Sequence, residues 1–203
     1  MKINLDLIAK FYNKRYDKVG AKIESVGWKN HEEQSLRFDI LFRGIELNNK
    51  TILDIGCGLG DLVPYLKNRL NKKFNYIGID ISKNLIVHAK EKYNYPNVEF
   101  IHGDINSVNF DKLSSIDVSI ASGAFSFKTE GIEKYTSNAL NKMFEISKFC
   151  CSSNFLTKNV DFELSKNQHY FPDKTLLDAY QISDKVNLIN DYPLYEFTIQ
   201  IFK

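Results

Sequence analysis

The stretch Thr51-Ile-Leu-Asp-Ile-Gly-Cys-Gly-Leu-Gly-Asp-Leu62 decides how this chain folds. Its opening residues are mostly aliphatic and predict a strand over Thr51–Ile55. Gly56, Gly58 and Gly60 then remove side chains at the strand's exit, where the backbone turns sharply and a ligand can approach the main chain. After that the period changes: Leu62, Tyr65, Leu66 and Leu70 recur at helical spacing and predict a helix from Leu59 to about Leu70. Strand, glycine turn and helix in that order open a βαβ unit.

Downstream, the alternation continues. Phe74–Ile79 reads as a strand, Leu85–Tyr93 as a helix before Pro96, and Val98–Ile101 and Ile116–Ala121 as strands. Ile132–Lys148 reads as an amphipathic helix and Phe149–Leu156 as a further strand. At the C-terminus, Lys185–Ile189 and Leu194–Phe202 are separated by a short Asn-Asp-Tyr-Pro turn. A parallel crossover needs a dozen or more residues, so these two form an antiparallel hairpin and the last strand is reversed. The expected fold is therefore α/β, a doubly wound Rossmann-like sheet of seven strands, mixed because its last strand is antiparallel. Upstream, helical patterns near Leu5–Tyr16 and Glu32–Ile45 predict an N-terminal helical cap over residues 1–48, with the α/β core at 49–203, the whole forming a single domain.

Composition narrows the class. Of 203 residues, 43% are hydrophobic and 26% charged, a balance that excludes disordered, collagen-like and disulfide-scaffold chains. A net charge of +2 gives no long-range field for nucleic acid or anionic lipid. The short basic run Lys67, Arg69, Lys72, Lys73 is most simply the solvated end of the first core helix. Cys57, Cys150 and Cys151 are odd in number, lack metal-ligand spacing and point to a reducing compartment. No apolar run reaches 18 residues, and the N-terminus has no leader-type apolar stretch, so a cytoplasmic protein without a membrane partner is expected. No metal is expected, and nothing in the sequence sets an oligomeric state.

The residue after Gly60 separates the possible ligands. A dinucleotide fingerprint places Gly or Ala there, so that a pyrophosphate can sit on the helix N-terminus, whereas this chain has Asp61. A carboxylate repels a pyrophosphate. S-adenosylmethionine (SAM) has no phosphate and brings a sulfonium and an ammonium, with which nearby acids are compatible. Asp80, ending the second strand, can accept both ribose hydroxyls, and Asp104, ending the third, can accept an adenine amine. Adjacent parallel strands would set Asp54, Asp80 and Asp104 along one crevice. Taken singly the residues have plainer readings, Asp54 as a turn cap and Asp61 as a first-turn helix acid.

Together these motifs resemble those of the class I SAM-dependent methyltransferases, over roughly residues 30 to 203. The resemblance implies that Asp54 and the Gly56–Gly60 backbone hold the methionine end, with Cys57 and Asp61 in and beside that loop. It implies that Asp80 with Ile81 holds ribose, that Asp104 with Ile105 frames adenine, and that Ser122 lines the methionine side. Ser25–Trp28, Gln34–Phe38 and Asp191–Thr198 are similar to a subset of small single-domain bacterial members, in which Arg37 could pair with the SAM carboxylate; a surface helix arginine is the alternative.

On the acceptor side, Ser122-Gly-Ala-Phe-Ser-Phe127 lacks both the Pro-Pro-aromatic signature of nucleic-acid amino methyltransferases and the acid of a metal-dependent catechol-type enzyme. A rim rich in aromatic and small polar residues (Tyr12, Tyr16, Trp28, Phe125, Tyr170) favours a small-molecule acceptor, methylated most simply at oxygen, with no nucleic acid partner. His169 is the candidate general base, a solvent-exposed loop histidine being the alternative. The competing functions are an RNA-modifying methyltransferase on the same fold and a non-catalytic SAM-binding regulator.

Overall fold

The computed structural model describes residues 3–70 and 73–203; Lys72 of the basic run lies outside them. In chain order the elements are α1 (Leu5–Val19), α2 (His31–Leu41), β1 (Thr51–Ile55), α3 (Leu62–Arg69), β2 (Asn75–Asp80), α4 (Lys83–Lys92), β3 (Val98–His102) and β4 (Ile116–Ala121). Then come α5 (Ile132–Ile146), β5 (Ser147–Thr157), β6 (His169–Tyr170), α6 (Pro172–Tyr180), β7 (Val186–Ile189) and β8 (Glu196–Phe202).

The sheet runs β3-β2-β1-β4-β5-β8-β7, with the short β6 alongside β5. Strands β1 to β5 are parallel. Only β8 is reversed, lying antiparallel between β5 and β7, as the six-residue connection from Asn190 to Tyr195 requires. Every residue of β1 is buried because helices cover both faces of the sheet. Two hydrophobic clusters fill those faces, and the adjacent Cys150 and Cys151 point one into each, as period-two alternation demands.

Boundaries shift where local chemistry overrides periodicity. The helix expected from Leu59 starts at Leu62, because Gly60 sits at φ +78°, outside helical space. The helix expected to reach Lys148 stops at Ile146: the Ser147 hydroxyl donates to Met143 O at 2.7 Å, satisfying a terminal carbonyl, and Ser147 already pairs with Ile116 in β4. Helix α6, with Pro172 in its first turn, and the two-residue β6 lie in a stretch for which no regular structure was expected.

The N-terminal helices do different work. Phe38 and Leu41 of α2 belong to the core, and the helix packs on β5 and β8. Helix α1 is fixed instead to the start of α4: the Ser82 hydroxyl donates to Asn13 Oδ1 at 2.7 Å and Asn84 Nδ2 donates to Asp17 Oδ1 at 2.8 Å. This places its inner face over the C-terminal ends of the strands. No helix among the described residues is long and apolar enough to cross a membrane.

Candidate active site

The strand order reverses between β1 and β4, where successive connections lead to opposite sides of β1, and the crevice of a doubly wound sheet opens at that point. The turn after β1 is held by Gly56 N and Cys57 N, which donate to Ile79 O at 2.9 and 3.1 Å. Gly58, at φ +56°, donates its N–H to Asp80 Oδ2 at 2.9 Å, and a Cβ there would stand 2.8 Å from Val26 Cγ1. Gly60 serves packing: a Cβ would stand 2.8 Å from the Phe100 ring, so only glycine lets the loop lie against β3.

The acids at the three strand ends meet different environments. Asp54, fully enclosed, accepts from the Tyr76 hydroxyl at 2.8 Å, and burial pushes its carboxyl up to about 7 against the pull of that bond. Asp80 is also raised by burial, while the backbone amides of Ser82 and Gly58 hold it down; Ser82 N donates to its Oδ1 at 2.7 Å. Asp104 accepts from the Tyr135 hydroxyl, and from Asn106 N at 3.1 Å. Asp61 stands at the N-terminus of α3, with Gln34 Nε2 at 3.3 Å and Lys92 Nζ at 3.8 Å.

All four acids face one cavity of about 360 Å³, whose lining also includes residues of α1 and α2. That volume falls in the usual range of small-ligand sites, roughly 300–1,000 Å³. Of the residues expected to hold cofactor, Arg37, Asp54, Gly56, Cys57, Gly58, Asp61, Asp80, Ile81, Asp104, Ile105 and Ser122 line it; of the acceptor-side residues, Tyr12, Trp28, Phe125 and Tyr170 do. The structure does not bring the others there. Gly60 has the packing role just given. Tyr16 turns away from the cavity to the His88 ring, with centroids 5.9 Å apart. His169 is not an exposed loop residue and does not line the cavity: it is buried in β6, its Nδ1 2.8 Å from Thr157 O, although its neighbour Tyr170 and its strand partner Leu156 do line it. One ring nitrogen is thus spent on the backbone, an arrangement that suits a structural histidine better than the expected base.

Arg37 is not a surface residue. It is buried, its Nε and Nη2 donate to Glu196 at 2.6 to 3.1 Å, and its guanidinium lies 4.2 Å over the Trp28 ring. Asn154 ties the same carboxylate to the loop after β4: its Nδ2 donates to Glu196 Oε2 at 2.6 Å, and its Oδ1 accepts from Gly123 N at 2.7 Å. Two buried atoms at the cavity stay without a hydrogen-bond partner, Arg37 Nη1 and Ser122 Oγ. At a cavity wall such atoms are free to bond a bound molecule or water. Sequence reasoning missed Tyr76, Tyr135, Asn154 and Glu196. These side chains lie far along the chain from their partners, and no local spacing signals such pairings.

A doubly wound sheet with a glycine turn, acids at three successive strand ends and a reversed penultimate strand defines a class of nucleoside-cofactor enzymes. The model for the methyltransferase domain family matches residues 52–148. A Mycobacterium tuberculosis protein named methyltransferase Rv1506c is 31% identical over 161 residues, which are 75% of this chain and 93% of that protein. The chain therefore belongs to the class I SAM-dependent methyltransferase family, with SAM as the methyl donor. Methyltransferase 235L of Invertebrate iridescent virus 6 is 46% identical over 72 residues, 36% of this chain, but this chain spans only 26% of that longer protein. In fold, the chain is similar to magnesium protoporphyrin IX methyltransferase from Synechocystis PCC 6803, solved with bound S-adenosylhomocysteine (SAH). The TM-score is 0.70 at 13% identity, covering 98% of this chain and 100% of the other.

Proposed function

We propose that this chain transfers the methyl group of SAM to an oxygen of a small organic acceptor. The observation that carries this reading is the covered cavity itself: a chamber of about 360 Å³ roofed by α1 and α2 is of the size and shape that small-molecule sites take. In this reading Asp80 and Ile81 hold the ribose, Asp104 and Ile105 the adenine, and Asp54 with the Gly56–Gly58 backbone and Asp61 the methionine ammonium. Arg37 Nη1, 3.8 Å from Glu33 but without a hydrogen-bond partner, and Ser122 Oγ supply the remaining bonds at the methionine end. The 1–48 segment acts as a cap and folds as one domain with the core.

SAM supplies an activated methyl carbon on a good leaving group, so the protein's task is alignment and water exclusion. The Arg37–Glu196–Asn154 linkage fixes the loop after β4 relative to α2, which sets the depth of the donor. Tyr12, Trp28, Phe125 and Tyr170 bound the acceptor side; the Tyr170 hydroxyl donates to Phe125 O at 3.0 Å and so keeps that wall rigid. The test is an assay of SAH release from SAM against a panel of hydroxy acids, carboxylic acids, sugars, phosphorylated metabolites, amines and RNA. Release with an oxygen acceptor is expected; release only with RNA, or with nothing while SAM binds, would select one of the competing functions.

A further inference from the structure

Charge is unevenly spread over the cavity wall. The acids Asp54, Asp61, Asp80 and Asp104 come from strand ends and the glycine turn, and Glu196 and Glu33 are both ion-paired with Arg37, whereas Arg15, Lys29 and Lys166 come from the covering segments. None of these three cations is within ion-pair distance of a carboxylate among the described residues. Arg15 spends one N–H on the Glu24 carbonyl, which anchors its stem without neutralising it. Around them the wall is apolar: Phe11 packs on Phe127 with ring centroids 5.0 Å apart, and Leu164 completes the rim.

A second observation concerns proton transfer. The chain has four histidines, and none lines the cavity. The Tyr12 phenol, which does, is held above its ordinary range by burial and by Asp80, so it remains protonated and is no base. Neither an imidazole nor a readily ionised phenol therefore stands beside these cations to take a proton from an acceptor.

We propose that the methyl acceptor is a small organic anion with an apolar or aromatic body, bound by Arg15, Lys29 and Lys166 and methylated on its own anionic oxygen. This rests on the methyltransferase reading above. The step balances without a base: an oxygen lone pair forms the new C–O bond as the methyl carbon–sulfur bond breaks, and that bond's electron pair stays on sulfur. The sulfonium and the oxyanion are both neutralised and no proton moves. An ammonium-bearing acceptor is disfavoured by the same cations.

Two titrations of the full chain test it. The first measures SAH binding; the second, on SAH-saturated protein, measures benzoate, cinnamate and decanoate, each against its amide and its amine. At least one acid should bind about tenfold or more tightly than its amide, more weakly as salt is raised, with the amines weakest. Lys29→Gln and Lys166→Gln should each weaken that acid several-fold while SAH affinity stays within about twofold. SAH binding with no acid preference, or with no acid bound at all, overturns the anion inference alone. Absence of SAH binding in the first titration strikes the donor reading instead.

Discussion

Arg37 and Glu196, 159 residues apart in sequence, meet in a buried, two-pronged ion pair that joins α2 to the first residue of β8. The pair is held on both flanks, by the Trp28 ring under the guanidinium and by the Asn154 amide on the carboxylate. Removing one partner strands the other charge. Glu196→Ala should therefore cost about 3–5 kcal/mol, the scale for breaking a buried pair from one side. For a chain of this length that lowers the melting temperature by on the order of 10 °C. The double variant Arg37→Met/Glu196→Leu should regain much of that loss in thermal melts yet bind SAM more weakly than the native chain. Equal melting of Glu196→Ala and native protein would remove the pair from this account.

Asp54 gives the site a pH dependence. With its carboxyl held near 7 by burial, the folded state binds a proton that the unfolded chain has already released above its ordinary value of 3.8. Its contribution to stability is therefore greatest at low pH and falls as pH rises from about 4 through about 7. A bound ammonium favours the carboxylate and reverses the preference. SAM affinity should accordingly rise between pH 5.5 and about 7 and then level, with proton release on binding at pH 6. Calorimetry in buffers of different ionisation enthalpy reads that release. Asp54→Asn should abolish the pH dependence, and a flat profile in the native chain would contradict the assignment.

Gly58→Ala should weaken SAM binding without unfolding the chain. The residue sits at φ +56°, where an alanine costs about 1–2 kcal/mol, and the new methyl meets Val26. A tenfold or larger rise in SAM Kd with a melting temperature lowered by only a few degrees is expected. An unchanged Kd would mean that the turn does not cradle the ligand.

For His169 the expectation is the opposite of a catalytic residue's. His169→Asn removes the contact with Thr157 O and should lower stability by about 1 kcal/mol. It should leave turnover within about threefold of native and the pH profile unshifted. A hundredfold loss in kcat would return His169 to the reaction.

The pattern of residues that sequence made legible follows from how local each cause is. β1 and β4 were expected at their observed limits, because short aliphatic runs bounded by glycine or a polar loop carry their own signal. The three strand-end acids were legible for the same reason: a parallel sheet brings its C-terminal ends together whatever the loops do. His169 misled because the segment before it has no periodicity, so its return beside β5 as β6 was invisible. Arg37 lines the cavity, but its partner Glu196 was not legible. Its carboxylate lies on the last strand, and only the reversed β8, entering between β5 and β7, delivers Glu196 to α2.

The central claim is that an acid-lined crevice accepts a phosphate-free cationic nucleoside and refuses a pyrophosphate coenzyme. Titrating native protein and Asp80→Ala with SAM and with NAD under the same conditions tests it most directly. We expect one SAM per native chain, at least tenfold weaker binding in Asp80→Ala as charged ribose hydrogen bonds are lost, and no NAD binding in either. NAD binding to the native chain, or SAM affinity indifferent to Asp80, would contradict it.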